Sequence, residues 1–291
     1  MTQRTIGVVG GSGFYRLPGL EDVREVTVET PFGPPSDAVI SGRLGDTNLL
    51  FLPRHGRGHR LTPSQINYRA NIFALKRLGA QAVISVSACG SMKEEIGIGD
   101  IVIADQFFDR THGRKDSYFD DGAAAHVQFA DPVCADLAAT LATAAEELGY
   151  KVHRGGIYLC IEGPAFSTRA ESRIYRGWGV DVIGMTNLPE AKLAREAELC
   201  YATIAIPTDY DCWHGDHADV DVFAVIQALR ENVQRAQAIV ARAAPRVGIP
   251  RTCGCPTALD TALITDPEAI APATRERLAP LLDRVLRARG A

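Results

Sequence analysis

The sequence predicts an α/β fold in which one β-sheet is wrapped by helices. Three observations carry this: apolar runs of strand length alternate with stretches of helical period, several of those runs are too uniformly apolar to keep a solvated face, and nothing along the 291 residues marks a linker. Strands are expected at 6–9, 24–29, 38–44, 48–52, 82–87, 100–105, 156–160, 182–185 and 202–206. Helices are expected at 65–78, 169–177, 189–200 and 222–243. Another carries Leu137, Leu141, Ala144 and Leu148 on one face until Gly149 stops the turn. Asp221 suits the N-cap of the helix at 222–243, and Pro245 its end. A C-terminal helical segment, about 265–291, is expected to be interrupted near Pro280. With no internal repeat, low-complexity tract or shift of composition, one domain over 1–291 is the expectation.

Composition narrows the function. Apolar residues make up 46% and charged residues 23%, the mixture of a globular protein. Thirty-one basic against thirty-five acidic residues give a formal net charge of −4, and no Lys/Arg run is long enough to track a phosphate backbone, so nucleic acid is not an expected partner. The first strand begins almost at once, no charged and apolar leader precedes it, and no run reaches the roughly eighteen apolar residues of a membrane helix. A cytoplasmic protein without a membrane partner is expected. Seven cysteines, Cys89, Cys134, Cys160, Cys200, Cys212, Cys253 and Cys255, cannot all pair within the chain; free buried thiols are the expectation, with Cys253-Gly-Cys255 a close, exposed pair open to a redox role.

Six segments at strand ends carry chemistry. Gly10-Gly11-Ser12-Gly13 lets backbone amides and the Ser12 hydroxyl approach an anion, but the Gly7, Gly10, Gly13 spacing, with Glu29 as a ribose acid, equally fits a dinucleotide fold. Arg54 and His55, in Pro53-Arg54-His55-Gly56-Arg57-Gly58-His59, offer oxyanion donors or form a solvated turn. Ser87, Ala88 and Cys89 end a buried strand; hydroxyl and amide donation to an anion is the simpler reading, and a nucleophilic Cys89 the lesser one. In Glu162-Gly-Pro-Ala-Phe166-Ser167-Thr168-Arg169 an aromatic ring can stack on a base, or Phe166 is ordinary core and Glu162 a helix cap. Gly184-Met185-Thr186-Asn187 is the fifth. In the sixth, Asp209 and Asp211 stand two apart, which on an extended segment aims both acids the same way, as an exocyclic amine and ring nitrogen of a purine would need. His214 and His217 with Asp211 or Asp216 form at best a partial metal set.

Taken together, GGSGF, TPFGPPSD, RHGRGH, NYRANIFALK, SACGSM, GDIVIADQFFDRT, IEGPAFSTRAES, MTNLPEAKLA and TDYDCW, spread over about residues 5–215, make the sequence resemble the methylthioadenosine phosphorylase branch of the trimeric purine nucleoside phosphorylase family. The resemblance implies a single α/β domain with a central mixed sheet, assembled as a homotrimer or a dimer of trimers. It implies no metal and no organic cofactor, inorganic phosphate being a co-substrate of the nucleoside. Ser12, Arg54, His55, Ser87, Ala88 and Thr186 match positions around phosphate; Met185 matches the residue beneath the ribose and Phe166 the aromatic beside the base. Asp209 and Asp211 fall on the purine-recognition positions, with Asp209 the expected proton donor to N7. Ser167 and Val222 resemble positions that separate substrates, and His126 the residue lent by a neighbouring subunit to the 5′ pocket. The implied reaction is phosphorolysis of a 5′-modified adenosine, because carboxylates at 209 and 211 accept from an adenine amine and repel the O6 of a 6-oxopurine. Ser12 departs from the family's frequent Thr but keeps the hydroxyl.

Overall fold

The apolar runs pair into one mixed sheet. A computed structural model describes residues 4–11, 17–215, 222–248 and 252–290, with the side chains of 222–231 left undescribed. In chain order it contains β1 (Arg4–Gly10), β2 (Glu21–Val26), β3 (Val39–Leu44), β4 (Thr47–Pro53), α1 (Tyr68–Arg77), β5 (Ala82–Ser91), β6 (Ile101–Ile103) and β7 (Gln106–Arg110). There follow α2 (Ala135–Glu147), β8 (Val152–Arg154), β9 (Ile157–Ile161), α3 (Arg169–Gly177), β10 (Val182–Gly184), α4 (Asn187–Glu196), β11 (Cys200–Asp209), α5 (Val222–Ala243) and α6 (Pro272–Ala288). The strand order is β2-β3-β4-β1-β5-β10-β9-β7, with β11 pairing β5 and β6, and β8 pairing β6. β1 runs parallel to β4 and β5, and β11 parallel to β5, whereas β3 meets β4 and β10 meets β5 antiparallel. The expected mixed α/β sheet is present.

Side-chain alternation divides the core into two faces. On one face Val9, Tyr201 and Ala205 pack with the buried sides of α1, α4 and α6; on the other, Ile6, Val8, Ala202, Ile204 and Ile206 pack with α2 and α5. Close packing also dictates residue size: a Cβ at Gly7 would stand 2.9 Å from Leu75 of α1.

Several expectations are corrected. β2 is shifted to Glu21–Val26 and is exposed along most of its length, so its alternation gave a poor register. β7 and β8 were not expected; the first is a half-polar edge strand and the second has three residues. α4 ends at Glu196, because Glu198 adopts a left-handed φ of 57° and β11 begins at Cys200, where the sequence offers no glycine to announce a turn. α6 runs through Pro280. An interior proline costs a helix roughly 3 kcal/mol, and burial of Leu278, Leu281, Leu282, Val285 and Leu286, each worth about 1.5–3 kcal/mol, offsets it. Asp221 lies outside the described residues.

The dinucleotide reading fails on topology. Its ribose acid must follow the strand next to β1, but β1 is flanked by β4 and β5, while β2 is the sheet edge and Glu29 is exposed beyond it.

Candidate active site

β5 changes neighbours along its length. One edge of β5 pairs β11 continuously from Ala82 to Gly90. The other edge pairs β1 only through Ser85 and meets β10 only from Gly90, so on that edge no strand among the described residues pairs with Val86 to Cys89. In open α/β sheets such a switch point is where strand ends leave room for a ligand. Arg54 follows β4, Ser87 and Ala88 lie within β5, Met185 and Thr186 follow β10, and Asp209 ends β11.

On the anion side, Arg54 is only 2% exposed. Its Nε and Nη2 donate to the two oxygens of Glu190 at 2.8 and 3.0 Å, its Nη2 also to Ser85 Oγ at 2.6 Å, and its Nη1 to the Val86 carbonyl at 3.0 Å. Burial opposes its charge, but the Glu190 carboxylate outweighs this and raises its pKa further. The guanidinium is thus clamped at the gap in β5 and its charge is balanced. His55 Nδ1 lies 2.8 Å from the Leu61 carbonyl, which only accepts, so Nδ1 carries the proton. Burial lowers the ring's pKa to about 4, leaving Nε2 a lone pair at neutral pH; the ring stacks on His59 at 4.1 Å. Ser87 Oγ bonds Tyr158 Oη at 2.8 Å, and the same hydroxyl passes so close to Gly184 that no side chain fits there. Thr186, 6% exposed, precedes α4. Ser12 lies outside the described residues.

On the base side, β11 carries a bulge between Pro207 and Asp209, so Asp209 is set against Gly90. A Cβ at Gly90 would stand 2.9 Å from Asp209 Oδ1. Asp209 Oδ1 accepts from the Asp211 N–H at 2.8 Å, and Oδ2 faces Thr208 Oγ1 at 2.8 Å. Burial is the main cause that raises the Asp209 pKa, and the Asp211 charge adds least. Nor do the two acids share one extended face: β11 ends at Asp209 and Asp211 takes a left-handed φ of 50°. Asp211, 5% exposed, is turned toward Ser167 and Ser172, and burial raises its pKa too. The turn is fixed by Trp213 Nε1 donating to the Ser91 carbonyl at 2.8 Å, with the Arg176 guanidinium 3.5 Å above the indole ring. Phe166 is 43% exposed, which excludes the core reading. Glu162 caps no helix; it takes the His112 N–H at 2.7 Å and pairs with Arg114, while Thr168 caps α3. Met185 packs against Gly163. His126 is exposed on a segment bonded to Ala262, and the Val222 side chain lies outside the described residues. Cys89 is buried and its thiol pKa is pushed well up by burial, which disfavours a nucleophile. His214 bonds Glu94 at 3.1 Å; Asp216 and His217 lie outside the described residues.

Comparison with known proteins identifies the family. A model described as the phosphorylase superfamily matches residues 5–245. The chain belongs to the phosphorylase superfamily. Within that superfamily it is similar to the S-methyl-5′-thioadenosine phosphorylase of Geobacter sulfurreducens, 59% identical over 277 residues that cover 95% of this chain and 97% of that one. It is similar to the protein of the same name from Bradyrhizobium diazoefficiens at 53%, covering 99% of this chain and 100% of the other. Among solved structures, a methylthioadenosine phosphorylase from an antarctic soil metagenomic library superposes with a TM-score of 0.92 at 46% identity over 97% of this chain and 100% of that one. Methylthioadenosine phosphorylase from Schistosoma mansoni in complex with adenine gives 0.81 at 34% identity, covering 96% and 98%.

Two residues of this phosphorylase fold were missed by sequence reasoning. Glu190 is fully buried and also accepts from Tyr201 Oη at 2.9 Å; with Lys192 two residues on, its sequence surroundings read as an ordinary charged helix face and gave no signal. Arg114 donates to the carbonyls of Met185 and Leu188 at 2.8 and 2.7 Å, and to that of Glu162 at 2.6 Å, so it ties the loop after β9 to the one after β10. It sits in a polar loop, and nothing in its sequence surroundings distinguishes it.

Proposed function

We propose that this chain is a phosphate-dependent pentosyltransferase that converts S-methyl-5′-thioadenosine and phosphate to adenine and 5-methylthioribose 1-phosphate. The observation that carries the proposal is the half-buried Asp209, its pKa raised by burial, set against Gly90 of the strand that carries Ser87 and whose Val86 carbonyl holds Arg54. The relatives of this name match at 48–59% identity over nearly the whole chain.

As the bond from C1′ to N9 weakens, positive charge develops on the ribose. Phosphate stabilises that cation and attacks from the face opposite the base, inverting C1′. Ser12, Arg54, His55, Ser87, Ala88 and Thr186 hold the anion, the bare Nε2 of His55 accepting the P–OH of monohydrogen phosphate. Met185 lies beneath the ribose and Phe166 beside the base. Asp209 gives its proton to N7 of the leaving adenine, and Asp211 fixes it through the 2.8 Å N–H contact. Thr208 Oγ1 donates to Asp209 Oδ2 at 2.8 Å and lies 3.3 Å from the Cys89 carbonyl, so it orients the carboxyl; this contact lowers the Asp209 pKa, and burial outweighs it. Ser167 and Val222 tune substrate choice. No organic cofactor enters this chemistry. The site is completed in a cytoplasmic homotrimer, or a dimer of trimers, in which a neighbouring subunit lends His126. Exposed Ile174, Trp178 and Phe108, with Phe108 and Trp178 rings 5.2 Å apart, supply an apolar patch for such an assembly.

The deciding experiment is base release from methylthioadenosine and methylthioinosine with phosphate supplied or omitted. Adenine released only with phosphate, at far higher rate than hypoxanthine, is the expected result; phosphate-independent release or a preference for the 6-oxopurine overturns it.

A further inference from the structure

Four of the seven cysteines gather at a place the phosphorolysis does not use. Cys134 immediately precedes α2, Cys200 opens β11, and Cys253 and Cys255 lie two apart in the loop between α5 and α6. Their four sulfurs all lie within 4.8 Å of one another, and Sγ of Cys200 is 3.4 Å from that of Cys253. Cys134, Cys200 and Cys255 are buried and Cys253 is half-buried, so the sequence expectation of an exposed pair at 253 and 255 is not met.

The surrounding backbone holds the sulfurs together. The Cys134 N–H donates to the Tyr201 carbonyl at 2.8 Å, and the Cys200 N–H to Gln81 at 3.1 Å. Just before Cys253, the Thr252 N–H and hydroxyl both donate to Asp136 in the first turn of α2, at 3.1 and 2.9 Å. Just after Cys255, the Leu259 N–H donates to Glu198 Oε1 at 3.0 Å. Two thiols in contact are ordinary packing, since free cysteine behaves as a small apolar residue. Four that converge from three distant parts of the chain form the donor set of a soft metal. A tetrahedral four-thiolate site with metal–sulfur bonds of about 2.3 Å places its sulfurs about 3.8 Å apart, so side-chain shifts of about an ångström suffice.

We propose that Cys134, Cys200, Cys253 and Cys255 bind one zinc ion as a structural centre that fastens the loop after α5 to the beginnings of α2 and β11. On binding, each thiol gives its proton to solvent and forms a bond to zinc, with no change of oxidation state. The centre is not catalytic. Its four protein ligands leave no open position, and it stands at the Cys200 end of a strand whose other end is Asp209, ~30 Å away at ~3.3 Å per residue.

The test uses the full chain, purified with a phosphine reductant, without chelator, from zinc-supplemented cells. Elemental analysis is expected to give one zinc per chain. Stripping with a strong chelator is expected to lower the melting temperature by roughly 10 °C, while the initial rate of base release at low temperature stays unchanged. Cobalt(II) added to the stripped chain is expected to produce thiolate-to-metal charge-transfer absorption, which Cys253→Ser abolishes. Should that variant fail to fold, the chelation and cobalt experiments on the native chain still decide. Well below one zinc per chain with all four thiols open to alkylation, iron in its place, or a disulfide between Cys200 and Cys253 in anaerobically prepared protein would each overturn the proposal.

Discussion

Asp209 illustrates how position decides the chemistry of one carboxyl. Burial raises its pKa, so the protonated form survives to higher pH than in a free side chain, and a step that needs this proton must slow as pH rises through the raised value. Asp209→Asn, which offers a hydrogen bond but no transferable proton, should lower turnover of adenine nucleosides by ~10²–10⁴-fold. It should also remove the alkaline decline of kcat contributed by this group, while the melting temperature barely moves. Steady-state rates across pH check both, and an unchanged turnover number removes Asp209 from the mechanism. Glu190 has the opposite character. Removing its charge leaves Arg54 buried and unbalanced, so Glu190→Gln should cost about 3–5 kcal/mol of stability, read from denaturant midpoints.

At the scale of elements, the site is a product of strand pairing. Gly90 lies where β5 leaves β11 and meets β10, and Gly90→Ala would drive a methyl to 2.9 Å from Asp209 Oδ1 and 3.0 Å from Ile183 Cγ2. The expected result is a loss of kcat larger than any effect on the KM for phosphate, since the displaced group is the proposed proton donor. Activity matching the parent's would show that the acid tolerates the shift. Sequence reading located β1, β4, β5 and β11 because their uniform apolar runs are buried on both faces. It misplaced β2 and passed over β7 and β8 because, unlike the equally short but buried β6, they are exposed or half-buried and carry no uniform apolar run. The end of α4 was illegible for a different reason: Glu198 makes the left-handed turn that glycine would have advertised.

For the molecule as a whole, Glu196 sets a pH dependence. It is 5% exposed, accepts from the Tyr118 N–H at 2.7 Å and from Ser117 Oγ at 2.8 Å, and burial pushes its pKa up to about 7. Because the folded value lies above the ordinary 4.5, its contribution is fully present below that pH and is lost as pH rises through about 7, a change of about 3 kcal/mol. Glu196→Gln should therefore melt above the parent at pH 8 and close to it at pH 5, in thermal scans at the two values. The candidate phosphate and base residues were legible because each follows an apolar strand with glycine or hydroxyl neighbours. Their geometry was not, because the turn at Asp211 and the partners Glu190 and Arg114 exist only once distant segments meet.

The pairing of Arg54 with Glu190 has a bearing on how an anion arrives. A guanidinium cancelled by a carboxylate projects a short-ranged dipole into solution, and the chain as a whole carries −4, so neither this pair nor the net charge draws phosphate in from long range. Capture then rests on fixed N–H and O–H groups met only on contact. The association rate of phosphate, followed by stopped flow, should be nearly insensitive to added potassium chloride, where a cationic funnel would show a steep decline with ionic strength.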